Sequence, residues 1–454
     1  MHPMARSHKV VGAIALTASA LFVVPCGVTA ASALRPLASG PPVVVWAESQ
    51  PSAAESVVSG LVKQFNSTYP GGGNVSVDWI NGEVLKTKTA VAMAGHNPPT
   101  VFYTFGGALL EQYIQAGDVA NVSSALAADP AWKSVYAANN VFQPVTYKGS
   151  IYGIPANGPD FEIMWQNKAT VQKAGGTPSP ATWSAFMSDV SKLKKAGVSP
   201  IAISGKDLWP EMIWMQYLTL RFGGPTVFDK VNALQPGAWS QPAIMKAAQT
   251  VQSLAKVGAF EPAFDSVVFE SGDADRLLAN GQAAFEAQLY YDAANMRVWD
   301  PAFAASPNYS PFVFPSVPGG TGNPGDLVGL PAEYFALSAY ASPNARKEAL
   351  AWLKYETTSQ TYNVKFLEDR GYTPMTSAAA KYLTTGKVPD GALVLKLYNI
   401  GTKAHYLQPY WDQDLPSSVI TPMLTDIGEL FDLTITPTQF ASSLNAALAQ
   451  ARKG

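Results

Sequence analysis

The amino-acid sequence predicts an α/β protein of two lobes, each a mixed, mostly parallel sheet with flanking helices, joined by hinge crossovers. The length is the first indication, since the chain has 454 residues and a single hydrophobic core stops growing at roughly 250–300 residues. The second is the alternation of short apolar strands with amphipathic helices, which is typical of βαβ units. The third is residues 147–168, where a strand stops, bends and starts again.

The prediction of two lobes depends mainly on residues 147–168. Residues 151–154 are β-branched and aromatic, and they end at Pro155. Residues 156–159 (ANGP) cannot continue a ladder, because proline lacks an N–H and glycine imposes no φ preference. The chain then resumes as an extended apolar segment at 161–166. We interpret this as the first crossing between the lobes and expect the functional cleft there; a β-hairpin inside one domain is the alternative.

The first part of the chain reads as alternating strands and helices. Strands are predicted at 43–46, 74–80 and 100–105, and helices at 53–69, 84–94 and 109–116. In sheets of this kind, ligands lie beyond the carboxyl ends of the strands. We therefore expect Glu48, Asn81, Thr104 and Phe105, each at or just past a strand end, to lie along one edge.

A second α/β run follows the proposed crossing. Helices are predicted at 182–197, 208–222, 243–257, 273–280, 344–357, 378–383, 420–431 and 438–452, and strands at 200–204, 282–291 and 310–318, the strand at 282–291 leading into another helix. Asp207 is expected to cap the helix that begins at Leu208. Residues 327–339 and 371–374 are candidates for the second and third crossings.

The first 42 residues predict export. A basic start with Arg6 and Lys9 precedes an apolar run at 10–24, which is of signal-peptide length, so residues 1–33 are expected to be a signal peptide. Cleavage after Ala33 is one route. Cys26, the only cysteine in the sequence, offers a second, because it resembles a lipidated cysteine at the end of a lipoprotein leader, although Pro25 departs from that pattern. Residues 34–42 are expected to be a tether.

Composition argues against several kinds of partner and site. The formal net charge is −2, so no nucleic-acid partner is expected. Four histidines, two of them in the leader, make a metal site built on His and Cys unfavourable. Residues 319–322 (GGTG) lack the Lys-Ser/Thr of a phosphate-binding loop. We expect no metal and no cofactor.

An ordered series of motifs resembles a known family. The segments are TVFYTFGG at 100–107, the strand pair ending in WQNK at 151–168, PATW at 180–183, IAISGKDLWP at 201–210, GQAAFEAQLYY at 281–291 and the helix at 344–358. Together they resemble the extracellular solute-binding proteins of the carbohydrate class, the family of the maltose-binding protein. Thr100 departs from the acid that is usual there, and Tyr291 stands in place of tryptophan.

The resemblance implies a division into lobes, a ligand and a partner. The N-lobe would hold 43–157 plus 328–371, and the C-lobe would hold 158–327 plus 372–454. A monomer would capture a mono- or oligosaccharide in the cleft and deliver it, without catalysis, to the permease subunits of an ABC transporter. It would be a cell-surface lipoprotein or an extracellular or periplasmic protein, reaching the membrane only through a lipid anchor at Cys26.

A sugar site needs carboxylates or amides for the hydroxyl edge and aromatic planes for the faces. Besides the four strand-end residues, the resemblance and the residue types select Asp160, Phe161, Asp207, Trp209, Tyr290, Tyr291, Glu333, Tyr334 and Trp411. Each has an ordinary structural alternative: a helix cap for Asp207, a hinge turn for Asp160, and core packing for the aromatic residues.

Two other functions fit the same residue types. A secreted carbohydrate-active hydrolase would use two carboxylates and the same aromatic surfaces. A binding protein for another small polar solute, such as a polyol, would have the same two lobes. A cell-surface adhesion module is disfavoured, because the βαβ pattern is not that of a β-sandwich.

Overall fold

A computed structural model describes residues 41–50, 52–137, 140–370 and 372–453. The leader, Cys26, the cleavage site after Ala33 and most of the tether lie outside the described residues. Within the described residues, no helix combines the length and the apolar character needed to cross a bilayer. Residues from 41 onwards belong to one compact unit, in which strands and helices alternate as predicted.

The strands of the described residues are β1 Val43–Glu48, β2 Val75–Ile80, β3 Val101–Thr104, β4 Thr146–Tyr147, β5 Ser150–Ile151, β6 Gly153–Pro155, β7 Asp160–Asn167, β8 Ser199–Ala202, β9 Ala283–Leu289, β10 Tyr309–Phe312, β11 Leu327–Leu330, β12 Tyr334–Leu337 and β13 Leu407–Gln408.

The helices of the same residues are α1 Ser52–Thr68, α2 Gly82–Ala94, α3 Gly107–Ala116, α4 Ser123–Ala128, α5 Pro130–Lys133, α6 Lys168–Lys173, α7 Trp183–Lys195, α8 Trp209–Gly223, α9 Thr226–Asn232, α10 Pro242–Lys256, α11 Asp273–Ala279, α12 Asp292–Trp299, α13 Pro301–Ala304, α14 Pro343–Thr358, α15 Gln360–Arg370, α16 Ser377–Leu383, α17 Gly391–Lys403, α18 Trp411–Asp414, α19 Ser417–Phe431 and α20 Pro437–Ala451.

The first sheet has the strand order β2-β1-β3-β12-β6. β1 runs parallel to β2 and β3, with Val45 opposite Val77 and Val101. β12, which returns late in the chain, runs antiparallel to both β3 and β6. Alternate residues of β1 are buried, beginning at Val43, because one face of the strand packs on the core of this lobe. We call the first sheet with its packed helices the first lobe.

The second sheet is built around β7, all of whose eight residues are buried. Its order is β13-β11-β7-β9-β8, and β10 also pairs with β7. β9 is antiparallel to β7, with Glu286 opposite Trp165, whereas β8 is parallel to β9 and β13 is parallel to β11. We call this sheet with its packed helices the second lobe.

The predicted fold class is confirmed, with a difference in strand direction. Both sheets are mixed, but among the described strands of these sheets antiparallel pairs outnumber parallel pairs by five to four, so the sheets are not mostly parallel. The antiparallel pairs come from strands that carry the chain between the lobes, namely β6, β7, β11 and β12. A strand that returns from the other lobe enters its sheet in the opposite direction, so it cannot extend a parallel βαβ series.

Two chain segments connect the two sheets within the described residues. β6 belongs to the first sheet and β7 to the second, so residues 156–159 form a crossing and not the turn of a hairpin. β11 lies in the second sheet and β12 in the first, so the chain returns at 331–333. Since Leu327–Leu330 pairs with β7 and β13, we place the proposed lobe boundary at 331–333, a few residues after position 328.

The crossings are bonded to one another. Asn157 Oδ1 accepts the Glu333 N–H at 2.8 Å, and Asn157 Nδ2 donates to the Glu333 carboxylate. The segment around Thr373, predicted from the sequence as a third crossing, is attached to them, because the Thr373 hydroxyl donates to the Pro159 carbonyl at 2.6 Å. Gly158 is required here, since a Cβ at that position would lie 2.4 Å from the Thr373 carbonyl oxygen.

Two sequence predictions about local structure were wrong. Asp207 does not cap α8: it lies in the preceding 3₁₀ turn, Gly205–Asp207, and α8 begins after Leu208 without a side-chain cap. The strand predicted at 310–318 ends at Phe312, since Pro315 and Pro318 cannot donate to a ladder. Helix α17 was not predicted at all.

Candidate functional site

A cavity of about 80 Å³ lies between the two lobes. The first lobe contributes residues from the ends of β1 and β3 and from the start of α2, and the second contributes the start of β7, the start of α8 and the loops around them. The lining residues are Glu48, Gly82, Lys86, Phe105, Asp160, Glu162, Asp207, Trp209, Met212, Ile213, Phe269, Glu270, Leu289, Tyr291, Glu333, Tyr410, Asp412 and Gln413.

Glu48 reaches the cavity from the last position of β1. Its carboxylate lies over the first residue of α2: a Cβ added to Gly82 would be 2.5 Å from Glu48 Oε1. A carboxylate at a helix N-terminus is favoured by the free N–H groups and the positive end of the helix dipole. The glycine therefore leaves space for the one carboxylate that the first sheet presents to the cavity.

Asp160 and Glu162 open β7 and point to the same side of the sheet, because side chains two residues apart share a face. Both are buried, and no hydrogen bond of good geometry reaches Asp160 Oδ1 or either oxygen of Glu162 from the described residues. The Glu333 carboxyl is the polar neighbour of Asp160, and the Tyr410 hydroxyl is that of Glu162. Burial, reinforced by the Glu162 and Glu48 carboxyls, raises the pKa of Asp160 well above its usual range. Burial also raises the pKa of Glu162, with Asp292, Asp412 and Glu286 adding to the shift while the Tyr410 hydroxyl opposes it.

Asp207 and Trp209 form a second wall with Phe269. Asp207 Oδ2 accepts the Phe269 N–H at 2.7 Å, which attaches the loop around Phe269 to the start of α8. The Trp209 and Phe269 rings meet edge to face, with centroids 5.0 Å apart at 80°. Tyr291 adds a third ring, packed edge-on against Tyr372 at 4.9 Å. These rings are apolar planes beside the carboxylates.

An ion pair connects the lobes across the cavity. Lys86 Nζ, on α2 of the first lobe, lies 3.1 Å from Asp412 Oδ2, on α18 of the second. The other oxygen, Asp412 Oδ1, is buried without a hydrogen-bond partner among the described residues. α18 also packs on the start of α3, where a Cβ at Gly107 would be 2.8 Å from the Gln413 carbonyl oxygen. The lobes are therefore in direct contact on this side.

Seven of the thirteen residues selected from the sequence line the cavity: Glu48, Phe105, Asp160, Asp207, Trp209, Tyr291 and Glu333. The role of Glu333 includes holding the crossings, since its carboxylate also accepts the Tyr103 hydroxyl. Carboxylates, aromatic planes and strand ends are therefore brought together from segments that are far apart in the sequence.

Six selected residues do not line it. Asn81 caps α2, its Oδ1 accepting the Val84 N–H at 3.4 Å, and Thr104 Oγ1 accepts the Gly106 N–H at 3.2 Å. The other four are buried aromatic residues whose chain neighbours face the cavity in their place. Phe161 and Tyr290 stack on each other. The Tyr334 hydroxyl donates to the Val141 carbonyl, and Trp411 packs on Phe228 and Trp239.

Sequence reasoning missed several lining residues. Glu162 could have been found from Asp160 by the two-residue period of a strand. Lys86 is one helical turn beyond Gly82, so it faces the same way once α2 is placed. Tyr410 and Asp412 flank the selected Trp411. Phe269 has no local signal, because it reaches the cavity through a bond to Asp207, which is 62 positions away in the sequence.

A larger cavity of about 620 Å³ adjoins the first and shares Phe105 and Gln413 with it. Its lining comes from both lobes and includes Glu111, Asn232, His405 and Asp414. We take the smaller cavity as the candidate site, because the unpartnered carboxylates and the ring planes of Trp209 and Tyr291 converge there and not in the larger space.

Among the described residues, one group of acids has ligand-atom spacing that would suit a metal ion. The carboxylate oxygens of Asp275, Glu286 and Asp292 lie within 4.8 Å of one another, and all three residues are buried. The Tyr309 hydroxyl donates to Asp292 at 3.2 Å, and Asp275 and Asp292 are hydrogen-bonded to each other. The same spacing is therefore expected of neighbouring acids that share a proton and hold no metal ion. None of the three lines the cavity.

Comparison with known proteins gives the family. The model of bacterial extracellular solute-binding proteins matches residues 49–362, more than half of the chain. A "Probable sugar-binding periplasmic protein" of Mesorhizobium japonicum is 29% identical over 185 residues, covering 41% of this chain and 42% of that relative. An uncharacterized ABC transporter extracellular-binding protein of Pyrococcus horikoshii is 26% identical over 184 residues, covering 37% of this chain and 38% of the relative. The chain thus matches less than half the length of either relative.

Solved structures agree with the fold. A chitin oligosaccharide binding protein has a TM-score of 0.80 at 19% identity, covering 91% of this chain and 100% of its own. A protein from a study of xylan utilization by the thermophilic bacterium Caldanaerobius polysaccharolyticus has a TM-score of 0.78 at 24% identity, covering 89% and 99%. With the two mixed sheets, the two crossings between them and the family match together, the chain belongs to the bacterial extracellular solute-binding proteins.

Proposed function

We propose that the protein captures a carbohydrate in the cavity between its lobes and delivers it, unaltered, to the permease of an ABC importer. The observation that carries this proposal is the lining of the cavity, where buried carboxylates with unpartnered oxygens stand beside the ring planes of Trp209, Phe269 and Tyr291. Carboxylates accept hydrogen bonds from sugar hydroxyls, and rings pack against the C–H faces of a pyranose. Similarity to a probable sugar-binding periplasmic protein and to a chitin oligosaccharide binding protein supports the same class of ligand.

Binding requires the lobes to separate first. The cavity of about 80 Å³ is well below the roughly 300–1,000 Å³ of sites that enclose a small molecule. Hinge motion at the crossings would open it, and a ligand that contacts both lobes would favour closure. The adjoining cavity of about 620 Å³ gives room for further units of an oligosaccharide.

We also propose where the protein acts and in which oligomeric state. The protein is proposed to act as a monomer outside the cytoplasm, with its leader either cut after Ala33 or removed before a lipidated Cys26. The intact mass of the purified mature protein distinguishes these two ends, because lipidation adds acyl chains to a chain beginning at Cys26.

The proposal is tested by replacing one ring of the cavity. Trp209→Ala is expected to weaken the best-binding sugar roughly tenfold, since it removes a stacking plane. Isothermal titration after a thermal-shift screen of mono- and oligosaccharides measures this. Trp183→Ala is the matched control, because Trp183 is also the first residue of a helix and is also partly buried on the second-lobe core, but lies outside the cavity.

Two results would contradict the proposal. Equal affinities in wild type and Trp209→Ala would remove this wall from the site. Release of new reducing ends from an oligosaccharide incubated with the protein would mean that the carboxylates act as acid and nucleophile or base, as in a carbohydrate-active hydrolase.

A further inference from the structure

The cavity carries a marked excess of negative groups. Seven of its lining residues are acids, Glu48, Asp160, Glu162, Asp207, Glu270, Glu333 and Asp412, against one base, Lys86. The Lys86 ammonium already pairs with Asp412 at 3.1 Å. Two other acids are engaged by the protein: Asp207 accepts a backbone N–H, and Glu333 accepts from Tyr103 and Asn157.

Asp160 and Glu162 are different, because the protein leaves them without a cationic partner. They are 3% and 1% exposed. Among the described residues, no hydrogen bond of good geometry reaches Asp160 Oδ1 or either Glu162 oxygen, and their polar neighbours, the Glu333 carboxyl and the Tyr410 hydroxyl, are not cations. Two buried acids on one strand face disfavour each other's ionisation, and a buried carboxylate is costly unless it is paired. A ligand that enters the cavity therefore meets two carboxyl groups for which the described residues supply no counter-charge.

A hydroxyl group would satisfy the hydrogen bonding of these acids but would do nothing to favour their ionised form. An ammonium group would accomplish both, and charge-assisted hydrogen bonds are roughly twice as strong as neutral ones. The neighbouring rings favour the same group, since Trp and Tyr faces attract cations. A uronic acid or a sugar phosphate would add a negative charge to this set and would be repelled.

We propose that the carbohydrate bound in this cavity carries a protonated amino group, placed against Asp160 and Glu162. The inference rests on the proposed function and specifies the class of sugar. It assigns specificity for charge to the start of β7, whereas the ring planes of the cavity supply affinity for any pyranose.

The experiment compares sugars that differ only at the amine. Glucosamine, galactosamine, 6-amino-6-deoxyglucose and the glucosamine disaccharide are each titrated against the corresponding hydroxyl sugar and the N-acetylated sugar. N-acetylation keeps the nitrogen but removes the positive charge. At least one amine is expected to bind tenfold or more tightly than both uncharged counterparts, and 0.5 M NaCl is expected to reduce this ratio.

Asp160→Asn and Glu162→Gln test the placement. Each is expected to reduce the ratio of amine affinity to hydroxyl-sugar affinity to threefold or less. Glu261→Gln is the matched control that keeps the ratio, because Glu261 is a buried acid of the second lobe, also with one unpartnered oxygen, outside the cavity.

The outcomes separate the two proposals. If neutral sugars bind and no amine binds more tightly than its uncharged counterparts, the inference about charge is overturned and the proposed function stands. An unchanged ratio in both β7 variants overturns the placement. If no sugar of either kind binds, the proposed function itself fails.

Discussion

Gly82 shows how one missing side chain shapes the site. The Glu48 carboxylate occupies the space that a Cβ at Gly82 would take. Because the clash would be with the far end of a flexible side chain and not with backbone, the fold can absorb a methyl group there by moving Glu48. The effect of the substitution should therefore fall on binding and not on folding.

Gly82→Ala is expected to weaken binding of the best sugar by roughly 5- to 30-fold, about 1–2 kcal/mol, because it displaces a hydrogen-bond acceptor from the cavity. The unfolding temperature should stay close to that of wild type. Titration calorimetry and thermal unfolding measure the two quantities. Gly60→Ala is the control, since Gly60 lies inside α1 with nothing within 4 Å of an added Cβ; a similar loss of affinity in both variants would contradict the prediction.

The alternation of strand side chains decides which selected residues reach the cavity. Asp160 and Glu162 face it while Phe161 stacks on Tyr290 behind the sheet. The sequence identifies a polar residue next to an aromatic one, but either could face a sugar, so both members of the pair were selected. Which face of β7 meets the cleft depends on pairing with β9, which lies more than a hundred residues later in the chain.

At the scale of elements, strand ends could be predicted but loop contacts could not. Glu48 and Phe105 follow from the rule that parallel strands in one sheet end at the same edge. Phe269 reaches the cavity because its N–H bonds to Asp207, a contact between two turns with no periodic pattern. The start of α8 was misassigned for the same reason: Asp207 looks like a cap, yet its carboxylate bonds to a distant loop.

Helix α14 carries two buried glutamates, one that accepts a hydrogen bond from a backbone N–H and one with an unpartnered oxygen. Glu348 Oε1 accepts the Asn74 N–H at 2.5 Å. Glu356 is buried with Oε2 unpartnered among the described residues, and burial raises its pKa from 4.5 to about 8. Because the folded-state pKa lies above the unfolded value, the stabilising contribution of this group is complete below about pH 4.5 and is lost as the pH rises through about 8.

Glu356→Gln is therefore expected to raise the unfolding free energy at pH 8.5 by on the order of a few kcal/mol and to change it little at pH 4.5. Thermal unfolding across this pH range measures the effect. Glu348→Gln, the same change on the same helix, should not stabilise the protein at pH 8.5, since it weakens a charge-assisted hydrogen bond. Equal stability of Glu356→Gln and wild type at pH 8.5 would count against the buried, proton-binding role of Glu356.

At the scale of the whole molecule, the lobes meet through the Lys86–Asp412 pair and the packing of α18 on α3. The side chain of Lys86 is 28% exposed and that of Asp412 is 7% exposed. An ion pair at a partly exposed position contributes about 1 kcal/mol or less, which is enough to shift a hinge equilibrium several-fold. The pair therefore acts on the balance between open and closed lobes more than on folding.

Lys86→Met, which keeps the apolar stem and removes the charge, is expected to open the ligand-free protein. Small-angle X-ray scattering should record a larger radius of gyration than in wild type, and high salt should move wild type in the same direction. Lys354→Met is the control, because the Lys354–Asp129 pair joins two elements of the first lobe. An unchanged radius of gyration in Lys86→Met would exclude the pair as a determinant of closure.

The bonded crossings bring the cavity next to the pivot of the molecule. Pro159, whose carbonyl accepts the Thr373 hydroxyl, immediately precedes Asp160, and Glu333 belongs to the second crossing. A displacement of a few tenths of an ångström at Asp160 or Glu333 is therefore applied at the short arm of a lever. The rims of the lobes form the long arm, so a small pull by a bound solute would become a much larger displacement of the outer surfaces of the lobes.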